Sequence, residues 1–188
     1  PPQGDIGDHL GLDPFRVIWL SITGPGCPSS PEEGAGIVAD RADYQKIKKF
    51  LYPDPAWVIR YLQQLQEEYN AGDMALWFYI EGFFWGPRKL LGITSHLLAF
   101  YDQPDLLKEI NEDILAYYEK ILPEIFAVAT PDVLLISEDL SYNHGPMLSE
   151  ELFDLTMAPY YEKLTALLHR YRIKVLVDSD GDVMPIIP

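Results

Sequence analysis

Carboxylates recur at one kind of position in this sequence. An apolar run at 75–80 (ALWFYI) leads into Glu81-Gly82, a second at 132–137 (DVLLIS) into Glu138-Asp139, and a third at 174–177 (KVLV) into Asp178-Ser179-Asp180-Gly181-Asp182. Acids gathered at one place from separate segments cost free energy unless a ligand, cation or proton answers them. Such clusters therefore bind substrate, exchange protons or hold hard metal ions through oxygen. Asp and Ser also cap helices or sit solvated in loops. It is the recurrence on three runs, rather than any single acid, that points to chemistry.

The second cluster continues through Leu140-Ser141-Tyr142-Asn143-His144-Gly145-Pro146, adding a phenol, an amide and an imidazole. His144 can give or take a proton near neutral pH, the alternative being a solvated loop side chain. The segment EGFFWGPR, residues 81–88, supplies aromatic walls and one cation. Arg88, at the start of a helix, can grip a substrate carboxylate with two parallel hydrogen bonds or pair with a neighbouring acid. Glu138, Asp139, His144, Asp178 and Asp180 are thus the expected catalytic residues, and Glu81, Trp85, Arg88, Tyr142 and Asp182 the expected substrate-binding ones. His96 falls on a helix face and His169 near a helix end, where positive charge suits the dipole. His9 lies in an unassigned segment, and the pairs Tyr117-Tyr118 and Tyr160-Tyr161 read as helix packing surface.

Strands and helices must alternate to position these groups. After an irregular segment over residues 1–39, with one strand candidate at 16–22 (RVIWLSI), the pattern becomes regular. Asp54-Pro55 is a helix start, with Trp57, Tyr61, Leu62 and Leu65 at helical spacing behind it. The run 75–80 follows, then a helical stretch at 103–130, a strand at 132–137, helix at 149–171 and a strand at 174–177. Such alternation predicts a parallel sheet. The strand runs are apolar on consecutive residues, so both faces should be covered. No G-x-G-x-x-G turn follows the first strand, which favours a closed barrel over an open nucleotide-binding sheet.

Composition bounds the partners. The 188 residues are 48% hydrophobic and carry a net charge of −15, so a folded core is expected and polyanions such as DNA or an anionic membrane surface are repelled. No apolar run approaches the roughly 20 residues that span a bilayer, and PPQGDIGDHL lacks the character of a signal peptide. Cys27 is the one cysteine. It excludes an internal disulfide and fits a reducing compartment, so the expected location is the cytoplasm. Its setting, GPGCPSSP, is loop-like, with a catalytic thiol as the minor alternative.

The stretch EDLSYNHGPMLSEELFDLTMAPYY, followed by a helix and KVLVDSDGD, resembles the uroporphyrinogen decarboxylase superfamily. The likeness lies in an acidic strand end, a Gly-Pro-hydrophobic-Ser step and a helix containing Pro-Tyr before the next active-site strand. EGFFWGPRKLLGITSHLLAFYDQPDLLKEI is similar to the family's upstream segment, so that the likeness covers residues 40–182. The resemblance implies a (β/α)8 TIM-type barrel, incomplete in these residues, as a single domain over 1–188. A complete barrel takes about 250 residues. The chain is therefore expected to be part of a longer one, or to join separated pieces somewhere between Cys27 and Asp40.

The family implies two chemistries: methyl transfer involving a corrinoid (cobalamin) carried by a partner protein, and decarboxylation of a porphyrinogen. An arginine-rich motif like the decarboxylases' R-Q-A-G-R is absent, and Asp178-Ser179-Asp180 stands where thiol methyltransferases carry His-x-Cys. The usual zinc site lacks its soft ligands. Methyl transfer is placed first and uroporphyrinogen III decarboxylation second, because a polycarboxylate entering so acidic a mouth is repelled. Glu138, Asp139, Asp178 and Asp180 would bind or protonate a small or tetrapyrrole-linked substrate, or hold a divalent metal. A binding barrel without chemistry is the third reading.

Overall fold

The computed structural model describes residues 16–21 by their backbone and residues 36–72 and 74–186 in full. Cys27, His9 and the junction expected between Cys27 and Asp40 lie outside the described residues, apart from 36–39.

Four strands form one parallel sheet in chain order: β1 (Arg16–Ser21), β2 (Met74–Glu81), β3 (Val133–Ser137) and β6 (Lys174–Asp178). Between β1 and β2 run α1 (Arg41–Leu51) and α2 (Ala56–Ala71); between β2 and β3 run α3 (Trp85–Leu91), α4 (Ile93–Asp102) and α5 (Pro104–Phe126). A two-stranded hairpin, β4 (Ser141–Tyr142) with β5 (Gly145–Pro146), leaves the end of β3, and α6 (Glu150–Thr156) and α7 (Ala158–Arg170) lead into β6.

Local signals account for the helix limits. Asp40 accepts the amide of Asp43 at 2.9 Å and caps α1, while Asp54 accepts the amide of Ala56 at 2.8 Å ahead of α2. Ser149 caps α6 through the amide of Leu152. The stretch expected as one helix over 149–171 is two, separated at Met157, whose φ of −130° is not helical. Pro159 explains the break, because proline lacks an amide and fits only a first helical turn.

Period-two alternation sorts the strands' side chains onto two faces. Phe78 with its register partner Leu134, and Ile80 with Ile136, are fully buried on one face, where Phe126 of α5 stacks on Phe78 at 6.4 Å. Fully burying each such side chain contributes about 1.5–3 kcal/mol. Ala75, Trp77 and Tyr79, on the opposite face of β2, are half-buried. The expectation that the strands are covered on both faces therefore fails for β2 and β6.

The TIM-type (β/α)8 barrel is overturned. Among the described residues the parallel sheet has four strands and stays open, with β1 and β6 at its edges rather than paired to each other. At the β6 edge Leu176 and Val177 are 45% and 52% exposed. Consecutive apolar residues reveal that a strand is hydrophobic, not how many neighbours the sheet gives it.

Candidate functional site

The carboxyl ends of β2, β3 and β6 lie side by side, because Glu81 is in register with Ser137 and Ser137 with Asp178. The acids that end the strands nonetheless meet three different environments.

Glu138 is fully buried. Its Oε1 accepts the amide of Phe83 at 2.6 Å, and its Oε2 accepts those of Phe84 at 2.8 Å and Trp85 at 2.9 Å. It fastens the end of β3 to the turn that leads from β2 into α3. Gly82 is obligatory there: a Cβ would stand 1.8 Å from Oε1 of Glu138. Burial pushes the Glu138 carboxyl up to about 8, against the pull of the three amides, and the charge of Glu81 pushes the same way. With both oxygens engaged inside the protein, Glu138 supports the site rather than facing a substrate.

Glu81 is buried too, and pairs with the buried ammonium of Lys89 from α3. Its backbone carbonyl accepts the Tyr118 hydroxyl at 2.7 Å. The Tyr79 phenol, half-buried on the same face, hydrogen-bonds Ser137; burial raises its pKa, and Glu81, Lys89 and Asp178 all act on it electrostatically. Tyr79, Glu81, Ser137 and Asp178 thus share one face of the sheet at its carboxyl edge, covered over Glu81 by Lys89 of α3. Sequence reasoning passed over Lys89 and Tyr79. The signal available was the i, i+8 placement of Lys89 behind Glu81 across a tight turn.

Arg88 and Asp139 make the third environment. The guanidinium lies over the Trp85 ring, 4.8 Å from its centroid, and its Nη1 is 3.7 Å from Oδ2 of Asp139. That separation allows charge attraction but exceeds a direct hydrogen bond. Asp139 reaches toward it from a left-handed backbone, φ 52°, a conformation that aspartate tolerates better than most residues. Nε and Nη1 of Arg88 are buried without hydrogen-bond partners, which leaves donors of a strong and directional kind uncommitted.

His96 of α4 is fully buried against Phe84 and Phe100, at 4.6 and 5.1 Å between ring centroids. Neither ring nitrogen has a hydrogen-bond partner, and burial, aided by the charge of Arg88, lowers its pKa to about 3. It is a neutral core side chain.

The remaining expected residues lie on exposed loops. Tyr142 and His144 project from the β4–β5 hairpin into solvent, and Asp180 is exposed. Asp182 accepts the amide of Met184 at 3.0 Å and so starts the 3-10 turn Met184–Ile186. Hairpin and loop are tied together: Ser141 donates to the carbonyl of Asp182 at 2.8 Å, and the amide of Leu140 donates to Ser179 at 2.9 Å. Gly181, at φ 74°, passes so close to Tyr142 that a Cβ would lie 2.5 Å from its carbonyl oxygen. Among the described residues no three His, Cys, Asp or Glu side chains stand together as a metal site would require. Glu138, expected as one such ligand, has its oxygens on amides.

Comparison with known protein families and with curated proteins found no match. Among the described residues no helix is long and apolar enough to cross a membrane.

Proposed function

We propose that the chain is an enzyme related to the uroporphyrinogen decarboxylase superfamily. It binds a small substrate carrying one carboxylate at the carboxyl end of its sheet, and exchanges a methyl group with a corrinoid-bearing partner protein. The observation that carries the reading is Arg88: a partly exposed guanidinium seated on Trp85 beside Asp139 at the carboxyl edge of the sheet. Fork-like donors match one carboxylate. Lys89 is already paired with Glu81, and Asp139 and Asp178 add negative charge to the same edge. Among the described residues, a porphyrinogen with several carboxylates would meet Arg88 beside Asp139 and Asp178 and Lys89 already held by Glu81, which ranks decarboxylation second.

In this reading Arg88 and Trp85 hold the substrate, Asp139 orients the guanidinium, and the half-buried Tyr79 beside Ser137 is the group that moves a proton. The corrinoid, when its carrier protein docks, supplies the methyl group. A cytoplasmic location belongs to the same reading, supported by acidic composition and a single cysteine.

The test sets two assays side by side: the cobalamin spectrum during demethylation of methylcobalamin with small carboxylated acceptors, and porphyrinogen turnover. Methyl transfer with an Arg88→Gln variant whose KM is raised at least about ten-fold supports the reading. Turnover of porphyrinogen alone overturns it. A binding module without chemistry is the second reading, favoured by one observation: Glu138, the acid expected at the centre of catalysis, is sealed behind backbone amides. Carboxylate binding lost in Arg88→Gln, with neither reaction catalysed, would select it.

A further inference from the structure

We infer that the chain pairs with a second copy of itself through β6, the two strands running antiparallel about Leu176 and joining the two sheets edge to edge. The outer side of β6 meets no strand among the described residues, and Leu176 and Val177 stand half-exposed on it. The inward bonds of β6 show which backbone groups are left over. The amide of Lys174 donates to the carbonyl of Asp132 at 3.4 Å, and the carbonyl of Asp178 accepts the amide of Glu138 at 2.9 Å. Backbone groups alternate sides along a strand, so those of Lys174, Leu176 and Asp178 point to β3, and those of Val175 and Val177 point to the open side. Such a row is a template for another strand.

Charge selects the occupant. Arg170, Arg172 and Lys174 lie at the amino end of β6, Asp178, Asp180 and Asp182 at and beyond its carboxyl end, and all are exposed. None of them makes an ion pair among the described residues. Each chain carries a net charge of −15, so two copies repel except where opposite charges are brought together.

A two-fold axis at Leu176 brings them together. Lys174 then lies opposite Asp178 of the second copy and Asp178 opposite its Lys174, while Arg172 and Arg170 approach its Asp180 and Asp182. Val175 and Val177 pair across the junction through both their N–H and C=O groups, and Leu176 meets Leu176 between them. This is the self-complementarity that a symmetric dimer requires, each residue meeting the one that meets it. Opposite charges across strands stabilise such a pair, whereas a parallel copy in register would set Lys174 against Lys174 and Asp178 against Asp178. The surface is independent of Arg88 and of the methyl-transfer reading.

Sedimentation velocity of the full chain over about 1 μM to 1 mM, the range of weak interfaces, tests the inference. A monomer–dimer equilibrium is expected, with hydrogen exchange at the amides of Val175 and Val177 slowing as the dimer forms. Lys174→Asp sets acid against acid twice in the symmetric pair and should raise the dimer Kd at least about ten-fold. Adding Asp178→Lys to it reverses both ends of each pair and should return Kd to within about three-fold of wild type. Both side chains are exposed, so the fold should survive each change, as circular dichroism would verify. A chain that stays monomeric throughout, a dimer indifferent to Lys174→Asp, or one that the double change fails to restore overturns the inference.

Discussion

At the end of β3, Glu138 is fully buried and holds three backbone amides of the β2–α3 turn; one strand over, at the end of β6, Asp178 is exposed. Both follow apolar runs of similar length, and in sequence both read as acids delivered to a common mouth. Their difference follows from sheet position. β3 has neighbours on both sides, so the residue after its last pair faces the turn from β2 and finds donors there. β6 is an edge, and its acid meets water. An acidic strand end becomes a structural clamp or a solvated charge according to what the adjacent strand brings.

The strongest way to break this contrast is Glu138→Ala. Three buried amides lose their acceptor, and a loss of about 3–5 kcal/mol in stability is expected by urea denaturation. Asp178→Ala at the exposed counterpart should cost less than about 0.5 kcal/mol. Equal losses would erase the distinction.

Acidity sharpens it further. The Glu138 carboxyl rises from 4.5 to about 8 in the folded protein. A raised folded value favours the protonated form, so its stabilising contribution is complete below pH 4.5 and disappears as pH rises through about 8. The denaturation midpoint of the wild type should fall across that window, and Glu138→Gln should flatten the fall.

His96 acts on the acid side with the opposite sign. Its folded value drops from 6.5 to about 3, so the stability it contributes is present above pH 6.5 and is lost as pH falls through about 3. His96→Phe should flatten the acid limb and leave stability at pH 7 equal or higher, since neither ring nitrogen forfeits a hydrogen bond. Thermal melts at pH 4 and pH 7 measure both effects. The smallest effect belongs to His144→Ala on the exposed hairpin, expected within about 0.5 kcal/mol of wild type.

Much of the strand and helix layout was legible. The expected run 75–80 lies inside β2, Met74–Glu81, and the expected run 174–177 inside β6, Lys174–Asp178. Apolar runs and capping residues are local signals, and neighbours along the chain largely decide them. The barrel was not legible, because closure depends on strand number and pairing rather than on the character of any strand. In the candidate site, the acids and Arg88 stood out by type, whereas Lys89 and Tyr79 passed as a helix residue and a strand residue.

By itself the sequence determined the strand runs and the main helical stretches, that carboxylates follow the strand ends, and that net charge is strongly negative. Tertiary structure alone decided what each carboxylate does: Glu138 finds amides more than fifty residues earlier in the chain, Glu81 finds Lys89, and Asp139 faces Arg88. The physical reason is that a charge's role is set by its desolvation and its partners, and both are supplied by residues the local pattern does not contain.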